Sequence, residues 1–342
     1  MIRPTRALAA VLLAGVVALA GACSSSDDKD SGSGSSGGKS LDKVSYATAF
    51  GAVGRDSFVW VAKEKGFYRD AGIDIDIQKG ASGTNNLTLL KSGKVQFAAL
   101  DYTGAIIQAG LGKFTDWRAV AAVHQQTLVS IMTTADTGIT RPTDLKGKTV
   151  ATAAGSVSEQ LFPAYAKLAG LDPKTVTMKG VQTTALNGLM KQKQVDALST
   201  FLLSQTALKN ITGKQVVVLP YSQYLSDLFG NAIITSPNEV ATKKDLVTRF
   251  VKATMQGLQY TVDHPDEAAQ ILNKAEPTSA IPAAVGEINA MKPYVTPANG
   301  APIGHIDQAR LEKGITILQG AGLIPAGLTP DKVADFSFIG AS

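Results

Sequence analysis

The sequence predicts an α/β fold built on mostly parallel sheets flanked by helices, on three observations. Apolar residues alternate, then fall at helical spacing, then alternate again, several times along the chain. Polar, glycine-bearing loops mark most of these switches. The chain has 342 residues, enough to bury a large core in two globular halves. With 44% hydrophobic and 18% charged residues, its balance is that of a folded globular protein.

The organising stretch is Val44–Asp76. Val44–Phe50 reads as a strand, and Gly51–Ser57 breaks it with two glycines and polar groups. Phe58–Gly66 runs at helical spacing, and Ile73–Ile77 alternates strictly. A loop between a strand's carboxyl end and a helix's amino end is the usual ligand seat of a parallel sheet, because free N–H groups converge there. The pattern continues through loop Gln78–Thr84, helix Asn85–Ser92, strand Val95–Leu100, loop Asp101–Gly104 and helix Ala105–Leu111. Arg118–His124 and Thr127–Thr133 read as further strands. The order β-α-β-α-β implies parallel pairing. It recurs with strand Thr149–Ala153, helix Glu159–Ala169, strand Val176–Met178, helix Ala185–Gln192 and strand Val195–Leu198, and Val216–Leu219 is the last strand of that half. The remainder is helical. Leu246, Phe250, Val251, Thr254 and Leu258 form one stripe, Asp263 and Pro265 signal a helix start, and Asp307–Gly320 is another helix. These helices are expected to pack on the first half.

At the amino end, Arg3 and Arg6 precede an apolar run, Ala7–Ala22, as in an export signal. The run is shorter than the ~20 residues that span a bilayer. Leu19-Ala20-Gly21-Ala22-Cys23 resembles a bacterial lipobox, with Ala20 where leucine is favoured. The resemblance implies a signal peptide over 1–22 and a lipid on Cys23. Ser24–Ser40 contains no large apolar residue and is expected to be a disordered tether spanning roughly 20 Å. Cys23 is the sole cysteine, which excludes a disulfide framework or a thiolate metal cluster. Formal charge is +5, nearer +3 without the leader's arginines, and no basic run interleaved with aromatics argues for nucleic acid. His124, His264 and His305 lack metal-ligand spacing. Gly147-Lys148-Thr149 echoes the end of a phosphate loop, but Pro142 stands where its first glycine belongs. No cofactor or metal is expected.

Three motifs carry a family resemblance. Lys63-Glu64-Lys65-Gly66-Phe67-Tyr68-Arg69-Asp70-Ala71-Gly72-Ile73, Leu90-Lys91-Ser92-Gly93-Lys94-Val95-Gln96-Phe97-Ala98 and Asp144-Leu145-Lys146-Gly147-Lys148-Thr149-Val150 resemble signatures of the nitrate/sulfonate/thiamine-precursor group of ABC-importer solute-binding proteins. Gln96 replaces that group's usual aspartate. The resemblance implies a two-lobed periplasmic-binding-protein-like fold with two hinge crossovers. Mapped here, lobe one takes 41–135 and 231–342, and lobe two takes 136–230. The chain would leave lobe one near Thr133–Arg141 and return through Gly230–Thr235. The implied function is to capture a small polar organic anion (sulfonate, carboxylate or aromatic acid) between the lobes for an ABC permease, without chemistry. The expected protein is an outward-facing, lipid-anchored monomer. The alternative is an enzyme of the thiamine-pyrimidine or menaquinone type on the same fold.

The loops expected at the cleft supply Arg55, Asp56, Ser57, Ser82, Thr84, Asp101, Tyr102 and Thr103 from lobe one, and Ser156, Ser158, Thr183 and Phe201 from lobe two, with His124 and Gln125 near the first crossover. Hydroxyls and helix amino ends suit an acceptor-rich, negatively charged ligand. The competing reading of each serine or threonine is an ordinary N-cap. Arg55 would clamp a carboxylate or sulfonate, or else pair with Asp56. Tyr102 and Phe201 would stack on a flat ligand or pack in the core. Asp101 suits an amine or a ring N–H.

Overall fold

A computed structural model describes residues 40–298 and 300–339. Cys23 and the predicted signal peptide lie outside the described residues, as does all of the predicted tether but Ser40.

The expected alternation is present. The first half runs β1 (Asp42–Ala47), α1 (Phe58–Glu64), α2 (Phe67–Asp70), β2 (Ile73–Gln78), α3 (Gly83–Lys91), β3 (Phe97–Asp101), α4 (Tyr102–Gly110) and β4 (Arg118–Ala122). Then come β5 (Val129–Thr134), β6 (Thr149–Ala153), α5 (Val157–Leu168), β7 (Thr177–Val181), α6 (Leu186–Lys191), β8 (Ala197–Phe201), α7 (Gln205–Thr212) and β9 (Val216–Pro220). The chain closes with β10 (Asn231–Thr235), α8 (Pro237–Thr242), α9 (Lys244–Asp263), α10 (Pro265–Ala275), α11 (Ile281–Met291) and α12 (Gln308–Gly320).

The strands form two five-stranded sheets, ordered β2-β1-β3-β10-β4 and β7-β6-β8-β5-β9. Both are mixed. β1 is parallel to β2 and β3, while β10 is antiparallel to β3 and β4. β6 is parallel to β7 and β8, while β5 is antiparallel to β8 and β9. The antiparallel member of each sheet is the strand that has just crossed from the other. The first passage is therefore 123–128 and the second 221–230. The expectation that the chain leaves near Thr133–Arg141 is corrected, since β5 already belongs to the second sheet. Likewise β10 is a strand of the first sheet and not itself the crossing segment. Local periodicity identifies a strand but not its partner, because pairing is a long-range choice.

Buried side chains cover both faces of the first sheet. On one face Phe250 of α9 stacks on Phe97 at 3.9 Å and on Tyr68 at 5.7 Å. Gly257 brings α9 against α1, where an added Cβ would meet Phe58 O at 2.4 Å. On the other face the apolar contacts run through Tyr102, Trp117 and Phe229 to Phe162 and Tyr165 beside the second sheet. Residues 40–339 thus group as one compact body, in which one apolar cluster reaches both sheets and others lie chiefly on a single sheet.

The C-terminal helices depart from expectation in two ways. Asp263 does not cap α10; it accepts from Gln259 at 2.6 Å, and Pro265 opens the helix after His264. α11 touches both halves. Ala284 lies against Gly54, and Gly286 approaches Thr206 of α7, where an added Cβ would sit 2.7 Å from the hydroxyl. α12 fastens the two passages. Arg310 Nη2 donates to Gln125 O in the first and to Ser226 O (2.8 Å) in the second, and its guanidinium lies 4.2 Å over the Phe229 ring.

Candidate functional site

A cavity of about 430 Å³ lies where the strand ends of the two sheets meet, lined from both. Of the expected residues it takes Arg55, Ser82, Thr84, Asp101, His124, Ser156, Ser158, Thr183 and Phe201. A more open hollow of about 480 Å³ runs beside β1 and β2, lined by Lys43, Ser45, Asp74, Asp76 and Gln96 among others. It lacks the strand-to-helix loops that converge on the first cavity.

The remaining expected residues turn away from the cavity. Asp56 is buried and accepts from the N–H groups of Ala49 (3.0 Å) and Phe50 (3.1 Å). Burial lifts its carboxyl to about 6, against the pull of Arg55 and those two N–H groups. It shapes the first loop from behind. Ser57 donates to Gly54 O at 2.7 Å. Tyr102 is fully buried, donates to Val333 O at 3.0 Å and packs against Trp117 and Phe229. Thr103 donates to Phe229 O at 2.8 Å. Gln125 donates to His305 O at 3.1 Å and belongs to the first passage. Each residue after a helix cap rotates by roughly 100°, so Tyr102 and Thr103 swing under α4 while Asp101 stays at the rim.

Arg55 lines the cavity but already has a partner. Its Nη1 lies 3.4 Å from Glu287 Oε1 on α11, its backbone N–H donates to Glu287 Oε2 at 3.2 Å, and its guanidinium stands over Phe50. The pairing expected with Asp56 is replaced by this one, because α11 returns from far along the chain.

The first sheet presents Asp101, Asn231 and His124 side by side. Asn231 stands opposite Asp101 in the β3–β10 ladder. Asn231 O accepts from the N–H of His124 at 3.0 Å, and the Asn231 N–H donates to His124 Nδ1 at 3.2 Å. That second bond fixes the neutral imidazole with its proton on Nε2. Burial, then the Arg55 charge, lowers the His124 pKa to about 3, so the ring is neutral at physiological pH. Asp101 caps α4 by accepting from Gly104 N–H at 2.7 Å through Oδ1. Burial raises its carboxyl to about 7. Seven buried side-chain polar atoms lack a partner among the described residues, and two of them, Asp101 Oδ2 and His124 Nε2, belong to cavity residues.

The second sheet presents hydroxyls. Ser156 caps α5, and its Oγ lies 2.8 Å from Ser158 Oγ. Ser158 also meets Thr152 at 3.0 Å, and its carbonyl accepts from Ser199, whose Oγ lies 2.8 Å from Tyr221 Oη. Sequence reasoning missed Phe50, Gln108, Leu128 and Asn231 as lining residues. Gln108 was within reach: Asp101, Gly104, Ala105 and Gln108 share one face of α4 at i, i+3, i+4 and i+7. Among the described residues, no group of three or more His, Cys, Asp or Glu could hold a metal ion, and no helix is long and apolar enough to cross a membrane.

Two mixed sheets, each receiving one strand from the other's half, with a cavity between their strand ends, define the fold of the periplasmic solute-binding proteins. The periplasmic aliphatic sulphonate binding protein SsuA from Escherichia coli superposes with a TM-score of 0.68 at 16% identity, covering 88% of this chain and 94% of that one. The chain belongs to the NMT1/THI5-like family, whose profile matches residues 57–268. It is 24% identical over 217 residues, 63% of this chain, to a formylaminopyrimidine-binding protein of Halalkalibacterium halodurans, spanning 65% of that protein's length. It is 22% identical over 228 residues, 66% of this chain, to a 4-amino-5-hydroxymethyl-2-methylpyrimidine phosphate synthase of Legionella pneumophila, spanning 71% of that protein.

Proposed function

We propose that this chain is the extracytoplasmic solute-binding component of an ABC importer, tethered to the membrane through lipid on Cys23. It captures a small polar organic molecule and hands it, unaltered, to a permease. The observation that carries this reading is the cavity itself: it is lined from both sheets, and the two passages are the natural site of a small rotation between them. Closing would remove the ligand from water, and the ligand drives closure only by binding the closed form better.

The synthase relative raises the enzyme reading, for which His124 supplies no base. Its Nδ1 is occupied by the Asn231 N–H and its Nε2 carries the proton, so the neutral ring offers no free lone pair for a base. The sequence expectation of an organic anion draws on Arg55 and the helix amino ends. With Arg55 held by Glu287, an anion would rely chiefly on the amino ends of α3 and α5.

A thermal-shift screen over sulfonates, aromatic acids and vitamin precursors tests the reading. A ligand at 100 times its Kd adds about 2.7 kcal/mol of stability. Turnover of a bound compound by the purified protein would overturn the binding reading. Cys23→Ser should move the protein from the membrane to the soluble fraction; continued sedimentation with membranes removes the anchor.

A further inference from the structure

We propose that the end of the second sheet turned away from the cavity is a docking surface for an anionic phospholipid bilayer. Such a surface lies outside the solute-binding reading and does not depend on what the cavity holds.

Charge is divided unevenly along the chain. Residues 129–220, which form the second sheet and its helices, carry ten lysines and arginines against five aspartates and glutamates. Residues 40–128 and 221–339 together carry nineteen against twenty. Topology then gathers the excess at one end. β6, β7 and β8 are mutually parallel, and β9 runs with them, since β8 and β9 are both antiparallel to β5. The carboxyl ends of β6 and β8 supply Ala153, Thr200 and Phe201 to the cavity, so the amino ends of all four strands point away from it. The loops that enter these strands hold Lys146, Lys174 and Lys214, and α5, α6 and α7 finish beside them with Lys167, Lys191 and Lys209. Arg141, Lys148, Lys193 and Lys214 are drawn into ion pairs with Asp144, Asp196 and Asp136. Lys146, Lys167, Lys174, Lys191 and Lys209 are exposed and have no ion pair among the described residues.

A lysine in the last turn of a helix commonly answers the helix dipole. That accounts for Lys167, Lys191 and Lys209, but not for Lys146 and Lys174 in strand-entry loops, nor for two apolar side chains among them. Leu168, 56% exposed, ends α5, and Ile211, 39% exposed, lies in the last turn of α7. Leu161 and Tyr165 of α5 pack in the cluster that holds Val150, and Leu208 of α7 packs in the one that holds Ala151. Successive strand residues face opposite sides, so the two helices cover opposite faces of the sheet and their apolar ends flank the lysines.

The occupant follows from this mixture. Lysine meets a headgroup phosphate as a compact point charge, and each one near an anionic bilayer adds attraction that salt screens. An exposed leucine or isoleucine set among lysines gains by entering the headgroup boundary, whereas a soluble polyanion gives it nothing. A nucleic-acid strand would use aromatic platforms, and Phe162, Tyr165 and Phe201, the aromatics of 129–220, are buried or line the cavity. β1 starts at Asp42 and runs toward the cavity-lining Ala49 and Phe50, so the chain enters the first sheet at the end away from the cavity. With lipid on Cys23 as proposed, tether and lysines would hold the body at two ends, with the cavity between them.

The test is sedimentation of the full chain carrying Cys23→Ser with vesicles of phosphatidylcholine, either pure or with about one-third phosphatidylglycerol. Without the anchoring lipid, binding reports the body, and any contribution of the leader is common to every variant. The expected result at low salt is at least a tenfold preference for the anionic vesicles, weakening as salt is raised. Lys146→Gln, Lys167→Gln, Lys174→Gln, Lys191→Gln and Lys209→Gln together should lower binding to those vesicles at least tenfold. A matched variant with glutamine at the exposed Lys91, Lys94, Lys113, Lys252 and Lys313 should lower it less than threefold. Leu168→Ser with Ile211→Ser should lower it about threefold. Thermal unfolding reports whether each variant is folded. Equal losses in the two five-lysine variants overturn the surface, since net charge alone would then account for binding. No effect of the two serines, with equally tight binding of long-chain polyphosphate, assigns the surface to a soluble polyanion and overturns the bilayer. Failure of the parent to bind anionic vesicles overturns the proposal outright and leaves solute binding to the thermal-shift screen.

Discussion

The two walls of the cavity are built on opposite plans. The wall from the first sheet ends in Asp101 and His124, each with one polar atom satisfied by its neighbours and one left over. The wall from the second sheet carries Ser156 and Ser158, whose hydroxyls bond each other and, through Thr152 and Ser199 buried behind them, reach back to Tyr221 in the second passage. A group that needs an outside partner discriminates among ligands, because the wrong one leaves it unpaired. A group already bonded within its own wall contributes shape and little choice. On the proposed solute-binding reading, the comparison assigns selection among ligands to the first wall and leaves the second to act by coming into place.

The first way to break this comparison is to keep the walls apart. Gly286→Leu puts a side chain where α11 meets Thr206, and neither of these two residues lines the cavity. It should weaken ligand binding by about 2 kcal/mol, some thirtyfold, while the unliganded protein stays folded. Unchanged affinity by calorimetry would mean that closure does not pass through this contact.

The next effect is in pH dependence. Burial raises the Asp101 pKa from 3.8 to about 7, so between those values the folded state holds a proton that the unfolded state has released. Stability contributed by this group is therefore present at low pH and lost as pH rises toward 7. Asp101→Asn removes the loss, so its stability relative to wild type should increase from pH 4 to pH 7, by up to roughly 3 kcal/mol. His124 and Asp56 also titrate in this range in wild type and variant alike, so the difference isolates Asp101. Denaturant melts at several pH values check it, and a flat difference would show that the carboxyl ionises normally.

Smaller still is Ser156→Ala. Loss of the α5 cap should cost about 1 kcal/mol of stability and change ligand affinity less than threefold, ~0.6 kcal/mol. A tenfold affinity loss would give the second wall a direct role in recognition. Smallest is Arg55→Ala, for which we expect an affinity change under twofold, or ~0.4 kcal/mol, because the guanidinium already serves Glu287. A tenfold loss would return Arg55 to the ligand.

What the sequence revealed, and what it hid, follow from the range of the forces involved. Strict alternation in Ile73–Ile77 and helical spacing in Phe58–Glu64 are local, and both elements are present. Polar residues before a helix announced the loops, and Ser82, Asp101 and Ser156 do line the cavity as caps. The sheet to which Val129–Thr134 belongs depends on partners some 65–90 residues downstream, and nothing in those six residues states it. Glu287 reaches Arg55 across 232 positions, which is why the arginine looked available in the sequence. Asn231 could not be tied to Asp101 before the ladder register was known.

Arg310 carries one further consequence. A single guanidinium holds Gln125 and Ser226, so the two connecting segments cannot flex independently of each other. Any closure of the proposed kind would therefore bend both segments together, about the Phe229 ring that the guanidinium covers. Because that arginine comes from α12, the joint depends on a helix far along the chain being docked against both segments.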